Sequence, residues 1–402
     1  MAWKQVVGAF LLTFNSWGPF LSFGVFQDYY QETYLSHFKP STISWIGTVQ
    51  GFLLIVVGTF TGPLFDLGHM RGLLGAGTAL IFLGFLVASE VRDYFGIFLS
   101  LSILLGLSSG CLFVPSVAIV AQWFPPPQRP LATGIAAAGG AFGGVVIPII
   151  FKASLNSFRV GWAYKTLAFI ALTTLSISFF MLRTRSVPDQ GRTLRAMLDL
   201  KAFSDLKFMF FSLSLFFSFT GLYIPFYYVP SYAKADLNVT ASLTFGILSV
   251  MNTGALFGRS LPSLAAKYFG SINILTFVTL TCGIIHFCWI PIHTLIGILI
   301  FGIFYGFFAG AVVSLPMSAY TELWPDVSNV GTRFSLSYSF AGFRILIGSP
   351  IAGILMSRFG YRALQIFGGI FIMLRFVSVC AAALIHRASR AQRKSQDMIS
   401  ML

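Results

Sequence analysis

Charged residues are scarce in this chain of 402 residues. Only 9% of the residues are charged, whereas 56% are hydrophobic, and the mean hydropathy is +0.83. A soluble globular domain has about a quarter of its residues charged, so this chain could not cover a water-exposed surface with polar groups. Lipid is the solvent that such an apolar surface requires. The composition therefore excludes an ordinary soluble enzyme and predicts an integral membrane protein.

Cysteine is equally scarce, and the motifs of catalysis and cofactor binding are missing. The four cysteines lie in apolar stretches without metal-ligand or redox spacing, so we expect free thiols. The chain contains no P-loop, no HExxH, no aspartate-rich pair and no plausible nucleophile triad. We therefore expect no cofactor, no metal and no enzymatic activity.

Apolar segments are abundant, and twelve of them are about 20 residues long, which is the length that crosses a bilayer. The predicted spans are Val6–Phe26, Ile43–Phe65, Gly72–Ser89, Phe95–Gln122, Leu131–Phe151, Trp162–Leu182, Phe208–Tyr232, Ser242–Ala266, Ile274–Pro291, Leu295–Tyr320, Gly331–Met356 and Ala363–Ile385.

The net charge of +14 reports orientation and does not indicate nucleic-acid binding, because the basic residues lie mostly in short loops and in the C-terminal tail. With the N-terminus in the cytoplasm, fifteen lysines and arginines lie on the inner side and eight on the outer side. This bias favours both termini inside. The sequon Asn238-Val239-Thr240 then falls outside, where Asn238 is a predicted glycosylation site.

The chain also repeats itself at half its length. Gly106 and Gly110 in the fourth span match Gly306 and Gly310 in the tenth, 200 positions later. Such repeats are typical of transporters built from two related six-helix halves, with the substrate site between them. The predicted organisation is an N-terminal bundle, a cytoplasmic linker, a C-terminal bundle and a basic cytoplasmic tail, over residues 1–184, 185–207, 208–386 and 387–402.

Charge inside the spans is of one sign. All twelve acidic residues lie in loops or at span ends, whereas Arg259, Arg344 and Arg375 lie inside spans. An ionised group in a membrane normally faces a cavity or a partner, and a substrate anion could supply that partner. The alternative is that each arginine bonds backbone carbonyls of a broken neighbouring helix. We interpret Arg375 as structural, because it lies in the last span, and His286 as a packing residue.

Helical spacing supports two of these arginines as binding residues. Arg259 shares a helix face with Asn252, and Arg344 shares one with Ser337. Because guanidinium presents a planar fork that suits a carboxylate, we expect Arg259 to bind an anion, with Arg344 second. Asn252 is a candidate through the face that it shares with Arg259. Taken singly, the remaining candidates are more often packing residues than ligand contacts, and they are Asn15, Tyr223, Tyr227 and Tyr338.

The segment that enters the fifth span, from Trp123-Phe124 through Arg129 to Gly143, resembles the signature of the monocarboxylate-porter-like branch of the major facilitator superfamily, in its fungal form. Gly62, Asp66 and Arg71 are similar to the superfamily loop between spans two and three. The resemblance implies an all-α integral membrane fold of 12 transmembrane helices in two pseudo-symmetric six-helix bundles. It also implies transport by alternating access, with Asp66, Arg71 and Arg129 in gating roles.

The chain departs from the branch at its coupling positions. Lactate carriers of this branch have an aspartate where Ala255 stands and a lysine where Leu21 stands. We therefore expect a transporter with altered coupling, whose substrate is a small organic acid or a specialised metabolite, moved inward or outward. The alternative is a non-transporting sensor or scaffold with the transporter fold. The expected partners are the substrate and the lipid bilayer, and the expected location is the plasma membrane, with a vacuolar or other organelle membrane as the alternative.

Overall fold

The computed structural model describes residues 1–157, 160–185, 200–237, 239–326 and 330–400, and this part of the chain is helical. A π-helical stretch, Phe98–Leu104, continues into the α-helix that begins at Leu105, and a short 3-10 helix, Leu200–Ser204, precedes the α-helix that begins at Leu206. The helices are α1 Ala2–Leu21, α2 Phe23–Glu32, α3 Pro40–Asp66, α4 Met70–Glu90, α5 Tyr94–Ile97, α6 Leu105–Trp123, α7 Arg129–Ser157, α8 Val160–Met181, α9 Leu206–Gly221, α10 Ile224–Asp236, α11 Ala241–Phe269, α12 Ser271–Cys288, α13 Leu295–Ser314, α14 Pro316–Leu323 and α15 Val330–Ser400.

Each of the twelve predicted spans corresponds to a helix, or to consecutive helical segments, in the described part of the chain. Ten of them are both long and apolar enough to cross a membrane. The other two lie in α11, which at 29 residues is about 44 Å long, and in the first part of α15. Gly360, with a φ of +74°, divides α15 into the eleventh and twelfth spans.

Local sequence signals set where several helices begin. Pro40 and Pro316 occupy the first turns of α3 and α14, where the missing N–H costs no intrahelical hydrogen bond. Asp93 and Thr294 cap α5 and α13 by accepting hydrogen bonds from the backbone N–H groups of residues three positions later. These caps lie at the ends of apolar segments, so they place the helix ends at the membrane boundaries.

Corresponding spans of the two halves break at corresponding positions. Ser22 separates α1 from α2, and Leu222 lies in the break between α9 and α10, 200 positions later. The hydroxyl of Tyr305 donates to the Leu222 carbonyl at 2.7 Å, which satisfies an acceptor near the break. Gly68 and Gly270, the turns after α3 and α11, both have positive φ, at 88° and 86°. The repeat predicted from sequence is therefore present in the backbone.

Glycine lets helices approach closely both within and between the halves. A Cβ at Gly143 would lie 2.8 Å from the Phe14 carbonyl oxygen on α1, so α7 packs on α1 within the N-terminal half. Between the halves, α3 packs along the first part of α15, and α7 packs along α11. The candidate site lies along this second interface.

Candidate functional site

Six aromatic rings fill the centre of the molecule, where the two halves meet. They form a central aromatic cluster, in which neighbouring ring centroids are 5.4 to 6.3 Å apart. Every ring is at most 7% exposed. Apolar ring faces of this kind suit a flat apolar ligand. The cluster consists of Trp17, Phe20 and Phe113 from the N-terminal half and Phe219, Tyr223 and Tyr338 from the C-terminal half.

Arg259 lies beside this cluster on α11. Its side chain is 4% exposed, and Nη1 donates to the Ala137 carbonyl of α7 at 2.5 Å. Its Nε has no hydrogen-bond partner. Gly140 makes room for the guanidinium, because a Cβ there would lie 2.8 Å from Nη1. The Nη1 of the guanidinium is therefore bonded to the opposite half, while its Nε–H is left without an acceptor.

Asn252 and Tyr223 add unpartnered polar atoms to the same region. Asn252 is 1% exposed, and neither its Nδ2 nor its Oδ1 has a hydrogen-bond partner. The Tyr223 hydroxyl is also unpartnered. Gly140 also borders the central aromatic cluster, because a Cβ there would lie 2.7 Å from the Cβ of Trp17. Buried polar atoms without partners are costly, so a ligand or water that bonds them would be stabilised here.

Of the seven predicted binding residues, the structure brings Arg259, Asn252, Tyr223 and Tyr338 together and places the other three elsewhere. Asn15 donates to the Leu11 carbonyl at 2.8 Å and to Thr174 at 2.9 Å, both in the N-terminal half. The side chain of Asn15 therefore faces the interior of the N-terminal half.

Arg344 contacts its own half and not the central aromatic cluster. Its Nε donates to Thr220 at 2.8 Å, and its guanidinium carbon lies 4.7 Å from the ring centroids of both Phe216 and Phe371. These partners belong to the C-terminal half, so Arg344 packs between α9 and α15. Tyr227 lies on α10 and is 43% exposed, outside the central aromatic cluster.

Arg375, which the sequence analysis treated as structural, is held inside the C-terminal half. It is 1% exposed, donates to Ser218 on α9 and to the Val312 carbonyl on α13, and has an unpartnered Nε. Among the rings of the central aromatic cluster, the sequence analysis missed Phe20, Phe113 and Phe219, because phenylalanine occurs 45 times and no single one stands out.

The two halves are joined at the predicted inner side by Asp66. Its carboxylate accepts hydrogen bonds from the Gly331 and Thr332 backbone N–H groups, at 3.1 and 2.8 Å, and from the Thr332 hydroxyl at 2.8 Å. These groups form the N-terminus of α15, where a negative charge is favourable. The hydroxyls of Thr133 and Ser318 add a 2.6 Å hydrogen bond between the halves.

The other predicted gating residues make no such contact in the described part of the chain. Arg129 donates from Nε to the Phe124 carbonyl at 3.2 Å, within its own half. Arg71 is exposed. Asn238, the predicted glycosylation site, lies outside the described residues.

Two helical halves that meet around a buried aromatic cluster and are bonded to each other at the predicted inner side have the architecture of alternating-access transporters. The sequence matches the Major Facilitator Superfamily over residues 6–323. The chain belongs to this superfamily, and it is a multi-pass membrane transporter.

Several fungal transporters are similar along nearly the whole chain. The MFS-type transporter dbaD of Emericella nidulans is 32% identical over 385 residues, which are 95% of this chain and 86% of the relative. The aspyridones efflux protein apdF of the same species is 32% identical, over 96% of this chain and 78% of the relative. The agnestins efflux protein AgnL12 of Paecilomyces divaricatus is 34% identical, over 94% and 86%.

Solved structures agree on the fold. The human organic anion transporter MFSD10 (TETRAN) aligns with a TM-score of 0.73 and 16% identity, over 94% of this chain and 98% of that one. The fucose:proton symporter FucP of E. coli aligns with a TM-score of 0.72 and 14% identity, over the same shares.

Proposed function

We propose that this transporter exports an acidic specialised metabolite and that Arg259 binds the acidic group. The buried, partly unpartnered guanidinium of Arg259 beside the central aromatic cluster carries the proposal. Guanidinium binds carboxylate with charge-assisted hydrogen bonds, which are about twice as strong as neutral ones. Asn252 and the Tyr223 hydroxyl would bond the remaining polar atoms of the ligand, and the rings would pack on its apolar body.

The outward direction rests on the relatives. Two of the similar fungal proteins are efflux proteins, one for aspyridones and one for agnestins. Transport itself would follow from rocking of the two halves, and the hydrogen bonds of Asp66 to the start of α15 support a role for this residue in holding the inner end closed. Arg71 and Arg129 retain their proposed gating roles, in a state where the inner end is open.

The proposed membrane topology follows from the excess of lysine and arginine on the inner side. We place both termini in the cytoplasm, the outer sequon at Asn238 in the extracellular space, and the protein in the plasma membrane. The resemblance to the monocarboxylate-porter-like branch supports an organic acid as cargo. Immunofluorescence with and without permeabilisation, on a chain tagged at either terminus, tests this arrangement.

The test is flux in proteoliposomes that contain the purified protein. Inside-out vesicles should accumulate radiolabelled aromatic carboxylates in a saturable way. Arg259→Gln should lower kcat/KM by about 100-fold, because about 3 kcal/mol of charge-assisted bonding is lost, and Arg259→Lys should recover part of it. Normal flux in Arg259→Gln would contradict the anion-binding role.

Arg344→Gln is the matched control, since it removes another arginine inside a span. Arg344 bonds Thr220 and packs on two phenylalanines away from the central cluster, so flux per folded molecule should stay within about twofold. If no acid of a broad panel is moved by folded wild-type protein, the sensor or scaffold alternative is favoured instead.

A further inference from the structure

The outer parts of the first and seventh spans are separate helices, α2 and α10. Each follows a break, near Ser22 in the first span and near Leu222 in the seventh. α2 packs on α1 and α3, and α10 packs on α11, α13 and α15, so each outer segment lies against helices of its own half. A break of this kind can act as a hinge, because a few residues at the end of an element absorb the change in φ and ψ.

A buried tyrosine bonds each outer segment to its own half. Tyr30 on α2 is 1% exposed, and its hydroxyl donates to the hydroxyl of Tyr164 on α8 at 2.7 Å. Tyr232 on α10 is 3% exposed, and its hydroxyl donates to the Ile292 carbonyl at 2.8 Å and lies 3.1 Å from Nδ1 of His293. Tyr30 and Tyr232 are 202 positions apart, which is also the spacing of the two glycine turns with positive φ. The two tyrosines therefore correspond in the repeat.

Aromatic rings on the same helix faces add to these contacts. Phe26, one turn before Tyr30, packs on Phe151 of α7 with ring centroids 4.8 Å apart. Tyr232 packs on Tyr361 with ring centroids 5.2 Å apart. Aromatic pairs at such distances contribute beyond the area that they bury. One aromatic face of each outer segment is therefore held against its own half.

The opposite faces of α2 and α10 are turned toward the space between the halves. A Cβ at Gly24, near the start of α2, would lie 3.9 Å from Leu248 of α11, and Asp28, one turn further out, is exposed. The ring of Tyr223, just before α10, packs on α1, and Tyr227, one turn further out, is 43% exposed. Each segment therefore meets the opposite half near its break and leaves an outer position on the same face uncovered.

From this arrangement we infer that α2 and α10 are the outer gates of the transporter, and that Tyr30 and Tyr232 are positioning residues that hold these gates open. Closing turns each segment about its break toward the opposite half, so each hydroxyl leaves its acceptor. A buried hydrogen bond shifts such an equilibrium about two- to twelvefold toward the bonded state. Loss of either hydroxyl therefore favours the state that is closed outside and open inside.

Cysteine labelling from the two sides of the membrane tests this inference. Ser318→Cys reports opening of the inner end, because Ser318 is 2% exposed and bonds Thr133 across the interface. Tyr227→Cys reports access from the outer side. Each reporter is placed in a background without the native cysteines, and vesicles of either orientation are treated with a membrane-impermeant maleimide.

Tyr30→Phe and Tyr232→Phe keep the ring and remove the hydroxyl. Each should raise the labelling rate of Ser318→Cys from the inside about three- to tenfold and should not raise that of Tyr227→Cys from the outside. Tyr228→Phe is the matched control, because it removes the hydroxyl of an α10 tyrosine that takes no part in these contacts. Both of its labelling rates should stay within about 1.5-fold of those of the parent.

Two results would overturn the inference. Unchanged labelling at both ends would mean that α2 and α10 move rigidly with their halves, and a rise at both ends would mean that the hydroxyls only stabilise the fold. Tyr164→Phe breaks the same bond as Tyr30→Phe, so it decides the question if Tyr30→Phe does not fold. The labelling needs no substrate, so its outcome is independent of the anion-binding role of Arg259.

Discussion

Replacing Asp66 by asparagine should open the inner end of the transporter. The Asp66 carboxylate bonds two backbone N–H groups and one hydroxyl at the start of α15, in the opposite half. Asparagine has nearly the same shape but no charge. Only one of its two terminal atoms can accept hydrogen bonds, so its amide nitrogen would face a backbone donor.

The expected loss can be estimated from these contacts. A hydrogen bond to a charged group contributes about 1.5–3 kcal/mol, against about 0.5–1.5 kcal/mol for a neutral one. The interaction of the charge with the helix N-terminus adds about 0.3–1 kcal/mol. Because Asp66 is half-buried, we take about 2–3 kcal/mol for the whole change, which shifts the equilibrium between closed and open inner ends about 30- to 150-fold.

Accessibility of the inner interface measures this shift. Ser318 is 2% exposed and bonds Thr133 across the interface, so Ser318→Cys in a background without the native cysteines reports opening. Inside-out vesicles are treated with a membrane-impermeant maleimide, and Asp66→Asn should raise the labelling rate at least about tenfold.

Asp93→Asn is the matched control for this experiment. The Asp93 carboxylate also caps a helix N-terminus, accepting from the Gly96 N–H at 2.8 Å, but within one half. It should leave the labelling rate at Ser318→Cys within about twofold. A labelling rate in Asp66→Asn that matches the control would refute the reasoning that Asp66 holds the inner end closed.

Two further changes test the interface and the site. Gly134→Ala places a methyl group against the Arg259 carbonyl and Ser263 on α11, so it should destabilise the protein by about 1–3 kcal/mol and slow flux. Gly75→Ala is its control, because a Cβ at Gly75 meets no atom within 4 Å, and this change should be neutral or stabilising. Thermal melting in detergent compares them, and equal melting temperatures would contradict the close approach of α7 and α11. Tyr223→Phe removes an unpartnered hydroxyl, so it should raise the KM for an acidic substrate severalfold without lowering the melting temperature. An unchanged KM would show that this hydroxyl bonds no substrate.

Features that depend on position along the chain were predicted well. The spans and the half-length repeat follow from hydrophobicity and residue identity along the chain, which are local properties. The Gly68 and Gly270 turns show how closely the backbone keeps the repeat. Asp66 was named as a gating residue from a motif, and the structure gives it partners in the opposite half.

Features that depend on the neighbours of a helix face were predicted less well. Arg259 and Arg344 looked alike in sequence, each on a polar stripe of a span. Only the first meets the other half, through Ala137, while the second lies between two phenylalanines of its own half.

The sequence by itself determined that this protein is a twelve-span membrane protein of two related halves, because a bilayer acts on each segment separately through length and apolarity. Only the tertiary structure decided which charges meet at the centre. The rotation of each helix about its axis is set by its packing against other helices, and those contacts join residues far apart in the chain. Arg259 on α11 and Ala137 on α7, 122 positions apart, meet for that reason.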